Sequence, residues 1–472
     1  MSDRIIVGER AVYSRDCAKT GLNNNILVCG FSGCGKTMSI TEPRLLEADG
    51  TSMIVTLTKR RVVHQYTPLL ERRGYRVYDL DFTNPASCRL RFDPMDYVST
   101  DSDVAFLARA IVAGSGQEQS AFHDPYWEES AVSLLSALIA YVRRTRPYGG
   151  LIDVLELHDR LSLTGGKDGV ETTLDGKFRE LALREPDSFA VSCWKTFSAT
   201  PRSTAGCIYS ALNTTLDTLF SQEMREMLRA PESLDLEELL EHRSVLFVST
   251  SSVQPGMQKF ISVFYSMIFK SLFEYADLQP DGRLPIPLEL VCDDFASGGR
   301  IVNFPDLISV LRERNMSVTL LLQSETQLAS MYGANQAATI INNCNTYVYM
   351  GGMDLKTAMN ISTRANLPLE DVLALPVGAE IVCRIGRRPL KTKRYPILES
   401  PIYQETLEDY SIYLQKDHSP VSKRNEQAAP AIDFMTFAAL SRSEPYLIDQ
   451  EEEMLHRLEE AGIDACGSMP FI

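Results

Sequence analysis

Apolar residues along this chain gather in short runs, either alternating with polar ones or consecutive, and the runs fall in two blocks. The first block covers residues 25–30, 52–57 and 76–80; the second covers 244–250, 288–293, 317–323 and 345–350. Runs of this length, bounded by turn-forming residues, predict strands. Between most of them the apolar positions recur at helical spacing. Strands alternating with helices predict βαβ units, and so an α/β fold with a mainly parallel sheet.

From about residue 99 to 235 the strand pattern stops. Residues 101–112, 128–144 and 204–220 instead repeat apolar side chains at helical spacing, which predicts an all-helical domain inserted into the α/β domain. A hairpin at the sheet's edge is expected over 384–395. The polar stretch KDHSPVSKRNEQAA at 416–429 reads as a linker, and an acidic helical tail centred on EEEMLHRLEEAG follows it.

Composition narrows the function classes. The 472 residues suffice for two or three domains, and 44% hydrophobic with 23% charged residues is ordinary for a globular protein. With a net charge of −15, any nucleic-acid contact has to come from a local basic patch. Ten cysteines form no C-x-x-C pair and no Cys/His set with zinc spacing, so they read as small core residues of a reducing compartment. No segment reaches the ~18 consecutive apolar residues of a membrane helix, and the opening MSDRIIVGER has no signal-peptide core. A cytoplasmic protein is expected, held at the inner face of the cell membrane only through partners.

The sharpest motif is GFSGCGKT, which fits G-x-x-x-x-G-K-[ST] at every fixed position. Gly30, Ser32, Gly33, Cys34 and Gly35 supply a loop whose backbone N–H groups face phosphate oxygens. Lys36 reaches the β- and γ-phosphates, and Thr37 offers its hydroxyl to Mg²⁺. The loop follows an apolar strand and precedes a helical pattern, as the mechanism requires, and it predicts a site for ATP and Mg²⁺.

A second set of groups suits hydrolysis. The run PLELVCDD ends in two carboxylates: Asp293 is suited to hold Mg²⁺ and Asp294 to orient the attacking water. The alternative is a strand that ends in a solvated Asp pair. Gln323 closes the next strand, either as a γ-phosphate sensor or as a plain strand-end polar residue. Arg312 and Arg314 precede that strand; they are either arginine fingers for a neighbouring subunit or solvated cations.

These residues, with an ordered series of further blocks over about 21–403, resemble the type IV coupling proteins of conjugation and type IV secretion. The series runs TGLNNNILVCGFSGCGKT, RLRFDPMDYV, DPYWEESAVSLLSALIAYV, STAGCIYSAL, CDDFAS, LRERNMSVTLLLQSETQLASMYG, INNCNTYVYMGGMDLKTAMNIS and LPVGAEIVCRIGRRPLKTKRYPI. The resemblance implies a RecA-like P-loop domain in two parts, residues 1–98 and 236–410, around a helical insertion at 99–235, with 411–472 as linker and tail. It implies a homo-hexamer that moves DNA, single-stranded and covalently attached to a relaxase, toward type IV secretion channel proteins. Three features depart from the pattern: the family's membrane-spanning N-terminus is not seen, Leu57-Thr58 precede Lys59 where an acid and a proline are common, and the acidic pair is Asp-Asp instead of Asp-Glu. The first points to a separate membrane-anchored partner. The third keeps open an ATP-binding adaptor with little hydrolysis; a related ring ATPase for other DNA or protein substrates is a further alternative.

Overall fold

A strand covered by helices on both faces has to be apolar on both. The computed structural model, which describes residues 4–113, 125–164, 170–251, 255–295 and 300–416, shows where the chain uses such runs. Along the chain come the short hairpin β1 (Arg4–Ile6) and β2 (Val12–Ser14), then β3 (Ile26–Cys29), β4 (Ser52–Leu57) and β5 (Arg76–Asp81). Four two-residue strands follow: β6 (Leu90–Arg91), β7 (Leu163–Thr164), β8 (Glu171–Thr172) and β9 (Glu232–Ser233). The rest are β10 (Ser244–Ser249), β11 (Leu288–Cys292), β12 (Met316–Leu322), β13 (Thr346–Tyr349), β14 (Ala379–Arg384) and β15 (Leu390–Lys393).

Nine of these strands form one sheet in the order β15-β14-β13-β3-β12-β11-β4-β10-β5. From β13 to β5 every pairing is parallel; β14 and β15 are antiparallel additions. In β3, β4, β10, β11, β12 and β13 every residue is buried. Alternate residues feed opposite faces. Leu27 and Cys29 join the core on one side, while Ile26 and Val28 join the core on the other. The first core takes the long helix Pro255–Leu278, whose Phe260 and Phe264 pack edge-on against Phe82 and Phe92. Each such fully buried ring contributes roughly 1.5–3 kcal/mol. The second core takes the helix Arg60–Arg72 through Val62, Tyr66 and Leu70.

Between β5 and β10 the chain is mainly helical, but the stretch expected to be all-helical, 99–235, also holds the short antiparallel pair β7–β8 and the strand β9. It includes Asp101–Ala113, Pro125–Thr145 and Arg202–Leu219. The two ends of this segment meet where β6 pairs in parallel with β9, and Leu234 N–H donates to the Arg91 carbonyl at 2.9 Å. Chain up to Tyr410 forms one compact unit, so the helical segment is packed into the same body as the sheet. Residues from Ser411 form a second unit, of which only the end of the helix Pro401–Lys416 is described. The polar linker beyond that helix and the acidic tail lie outside the described residues. No helix among the described residues is long and apolar enough to cross a membrane.

The edge hairpin begins earlier than its pattern suggests. β14 starts at Ala379, and its turn occupies 385–389. The outer strand is partly covered: Glu9 N–H donates to the Lys393 carbonyl at 2.9 Å, and Arg10 N–H donates to Thr392 Oγ1 at 3.3 Å.

Candidate functional site

Strand β3 delivers the glycine-rich loop to the carboxyl edge of the sheet, where open α/β sheets bind ligands. Gly30 cannot carry a side chain: a Cβ there would lie 2.6 Å from Cys34 Sγ and 2.9 Å from Met350 Cβ. Gly33 adopts φ +84°, a left-handed conformation that other residues rarely take. Backbone bonds fix the start of the loop, from Gly30 N–H to the Leu322 carbonyl and from Phe31 N–H to the Gly351 carbonyl, both 3.1 Å. Ser32 and Gly33 are exposed, whereas Cys34 is buried and its thiol is pushed up by that burial.

Lys36 is buried, and its ammonium donates to the carbonyls of Gly30 (2.8 Å) and Phe31 (3.2 Å). That contact holds the cation across the loop. The helix that follows opens with one π turn, Thr37–Thr41, in which Glu42 N–H reaches back to the Thr37 carbonyl. Pro43 supplies the cause, since it has no N–H to continue an α-helical ladder.

Thr37 Oγ1 donates to Asp293 Oδ2 at 2.5 Å, which joins the loop to the end of β11. Asp293 is 7% exposed. Burial raises its pKa, the Thr37 hydrogen bond opposes that, and the neighbouring Asp294 charge adds to the rise. A hydroxyl and a carboxylate side by side are hard oxygen donors of the kind Mg²⁺ accepts, alongside water and phosphate oxygens. Among the described residues no group of three or more His, Cys, Asp or Glu could hold a metal, but Mg²⁺ at a phosphate site needs only one or two protein ligands. The residues present therefore fit nucleotide with Mg²⁺.

Asp294 sits just beyond the strand at φ +50°, with its N–H donating to Asp293 Oδ1 at 3.1 Å. Asp and Asn enter the left-handed region far more readily than other residues with side chains, which gives a backbone reason for Asp instead of Glu here. Gln323 is exposed at the end of β12, the strand between β3 and β11, so it lies between the loop and the acid pair. Its N–H donates to Gln327 Oε1 at 3.0 Å.

Arg312 and Arg314 do not join this group. They precede β12 and so lie at the opposite edge of the sheet from the loop. Arg312 donates to the carbonyls of Gly21 and Cys17, and Arg314 pairs with Asp277 at 2.7 Å. Sequence reasoning missed a further buried network. Glu289, four residues before Asp293, accepts from Arg15 (2.6 Å) and Thr319 (2.6 Å) and lies 3.6 Å from Arg44 on the helix after the loop. The one signal for it was a carboxylate inside an otherwise apolar strand. Behind the acid pair, Tyr265 also touches Thr56 and Cys292.

A parallel sheet with the phosphate loop on β3, its acid pair on β11 and β12 between them has the architecture of a RecA-like P-loop NTPase. Within that class the chain belongs to the family described as Type IV secretory system Conjugative DNA transfer, which matches residues 2–366. Solved structures are consistent with this at the level of fold. The conjugative coupling protein TrwBdeltaN70 in complex with sulphate aligns with TM-score 0.61 and 17% identity over 84% of this chain and 89% of that chain. TrwB in complex with the ATP analogue ADPNP aligns with TM-score 0.58 and 17% identity over 79% and 85%. VirB4 of Thermoanaerobacter pseudethanolicus aligns with TM-score 0.52 and 14% identity over 85% and 98%. No curated protein sequence matches the chain.

Proposed function

We propose that this protein is an ATP-driven motor that recruits relaxase-bound DNA and moves it during conjugative transfer. The observation that carries the reading is the 2.5 Å contact of Thr37 with Asp293, which assembles the two halves of a nucleotide site from positions 256 residues apart. TrwB, which shares the fold, has been crystallised with ADPNP and with ADP and Mg²⁺. In this chain Lys36 and the loop N–H groups bind the phosphates, while Thr37 and Asp293 hold the metal. Mg²⁺ held by these two residues would supply charge neutralisation to the bound phosphates. Asp294 orients the attacking water, and Gln323 reads the γ-phosphate from between them.

DNA contact falls to the exposed cations of the edge hairpin, Arg387, Arg388, Lys391 and Lys393. The working assembly in this reading is a homo-hexamer at the inner face of the cell membrane, delivering to type IV secretion channel proteins. The deciding experiment is ATP turnover with and without single-stranded DNA; stimulation by DNA is expected. One feature favours a second reading, an ATP-binding adaptor: Asp294 is a methylene shorter than Glu and would reach less far toward an attacking water. Nucleotide binding with no turnover, with or without DNA, would establish the adaptor and refute the motor.

A further inference from the structure

The edge hairpin does not only present charge outward. Arg394, the residue after β15, turns inward and donates from Nη1 to the Cys34 carbonyl at 2.8 Å, across 360 positions of sequence. Its guanidinium lies between two glycines. A Cβ on Gly35 would come within 2.5 Å of Nη1, and one on Gly378 within 3.2 Å of Nη2. Both glycines hold left-handed backbones, φ +85° and +90°, so the slot exists only because neither carries a side chain. The backbone fixes the root of the arm, since Arg394 N–H donates to the Gly378 carbonyl at 3.0 Å.

We propose that Arg394 is a positioning residue for the phosphate-binding loop: by holding the Cys34 carbonyl it aims the Gly35 N–H into the cradle. The reason is peptide geometry. A trans peptide is planar, so the carbonyl of Cys34 and the N–H of Gly35 point in opposite directions, and no described peptide bond is cis. A charge-assisted bond that fixes one therefore fixes the other. It also polarises the peptide and makes that N–H a stronger donor. No carboxylate among the described residues forms an ion pair with Arg394. Glu380 is buried without a hydrogen-bond partner, and burial pushes its carboxyl up to about 8 against the opposing charge of Arg394. The guanidinium charge thus stays available to the loop.

This inference rests on the loop binding phosphate, and the experiment separates the two. Mg²⁺-ADP and adenosine affinities, and ATPase KM and kcat, are measured on the full chain for wild type, Arg394→Met, Arg394→Lys and Lys36→Ala. Arg394→Met, which fills the slot without charge, should weaken ADP binding and raise KM about tenfold, the typical effect of losing one hydrogen bond to a charged group. Adenosine binding should be unchanged and kcat at saturation should stay within about twofold, because the cradle touches only phosphates. Arg394→Lys should recover most of the loss. A merely structural role would move adenosine and ADP together and would overturn the proposal. ADP binding by Arg394→Met equal to wild type, with Lys36→Ala defective, would overturn it while leaving the nucleotide reading intact. Unchanged ADP binding by Lys36→Ala would bring down both.

Discussion

The buried carboxylate Glu289 gives the strongest quantitative test of how the site is held together. It is 1% exposed and faces two guanidinium groups, Arg15 and Arg44. Despite full burial, those charges and the Thr319 hydroxyl hold it down, from 4.5 to about 2. A carboxyl that titrates near 2 when folded and near 4.5 when unfolded contributes about 3 kcal/mol to stability at neutral pH. That agrees with the roughly 3–5 kcal/mol lost when one partner is removed from a buried ion pair. Glu289→Gln keeps the shape and deletes the charge. Urea denaturation of the full chain at pH 7.5 should therefore show a loss of about 3 kcal/mol. Because the folded group is the stronger acid, its contribution is complete above pH 4.5 and is lost as pH falls toward 2. The gap between wild type and variant should be constant from pH 8 to 5.5 and about 1 kcal/mol smaller at pH 4. A gap under about 1 kcal/mol at pH 7.5, or one that does not narrow in acid, would refute this account. The substitution should also weaken ADP binding, because Arg44 follows the phosphate loop and Glu289 helps to tie that helix to the strand of Asp293.

Three further outcomes are expected. Lys36→Ala should abolish ATP turnover while circular dichroism shows an intact fold; normal turnover by the folded variant would end the P-loop reading. Asp294→Asn should bind ATP but not hydrolyse it, whereas Asp293→Asn should lose Mg²⁺-dependent binding; Asp294→Glu should turn over faster but melt lower, since φ +50° disfavours the longer side chain by roughly 1 kcal/mol. Neutralising Arg387, Arg388 and Lys391 together should flatten the salt dependence of single-stranded DNA binding by about 2 in log–log slope, at roughly 0.7 per phosphate, and an unchanged slope would leave these cations as protection of a sheet edge.

The strands of the parallel sheet were legible because burial on both faces leaves one solution for each run, and their ends fall within about two residues of the expected positions. The loop was legible for a different reason: its chemistry is local, eight consecutive residues with fixed roles. What stayed hidden is non-local. Arg394 looks like its neighbours in a basic hairpin, and nothing nearby in sequence says that it turns inward while Arg387 and Arg388 stay out. Arg384, another of that basic run, is buried against Tyr13 with its guanidinium 4.2 Å from the ring, a contact that depends on an N-terminal hairpin too short to show periodicity. Arg312 and Arg314 precede β12 and so lie away from this chain's own loop, and strand polarity relative to the loop becomes visible only once the sheet is assembled.

The order of strands also bears on how this chain emerges from the ribosome. β3, β4 and β5 are made first, yet none of them pairs with another of the three. The strand that carries the phosphate loop finds its neighbours only in β12 and β13. From Cys29 to Met316 is 316 − 29 = 287 residues. At ~5–20 residues per second, β3 spends roughly 15–60 s without either partner. An apolar strand left open that long needs cover from a chaperone or from its own helices. The phosphate loop is synthesised early and its strand is paired late, so a ribosome that stalls between the loop and β12 releases a chain with its P-loop motif intact and the strand that carries it unpaired.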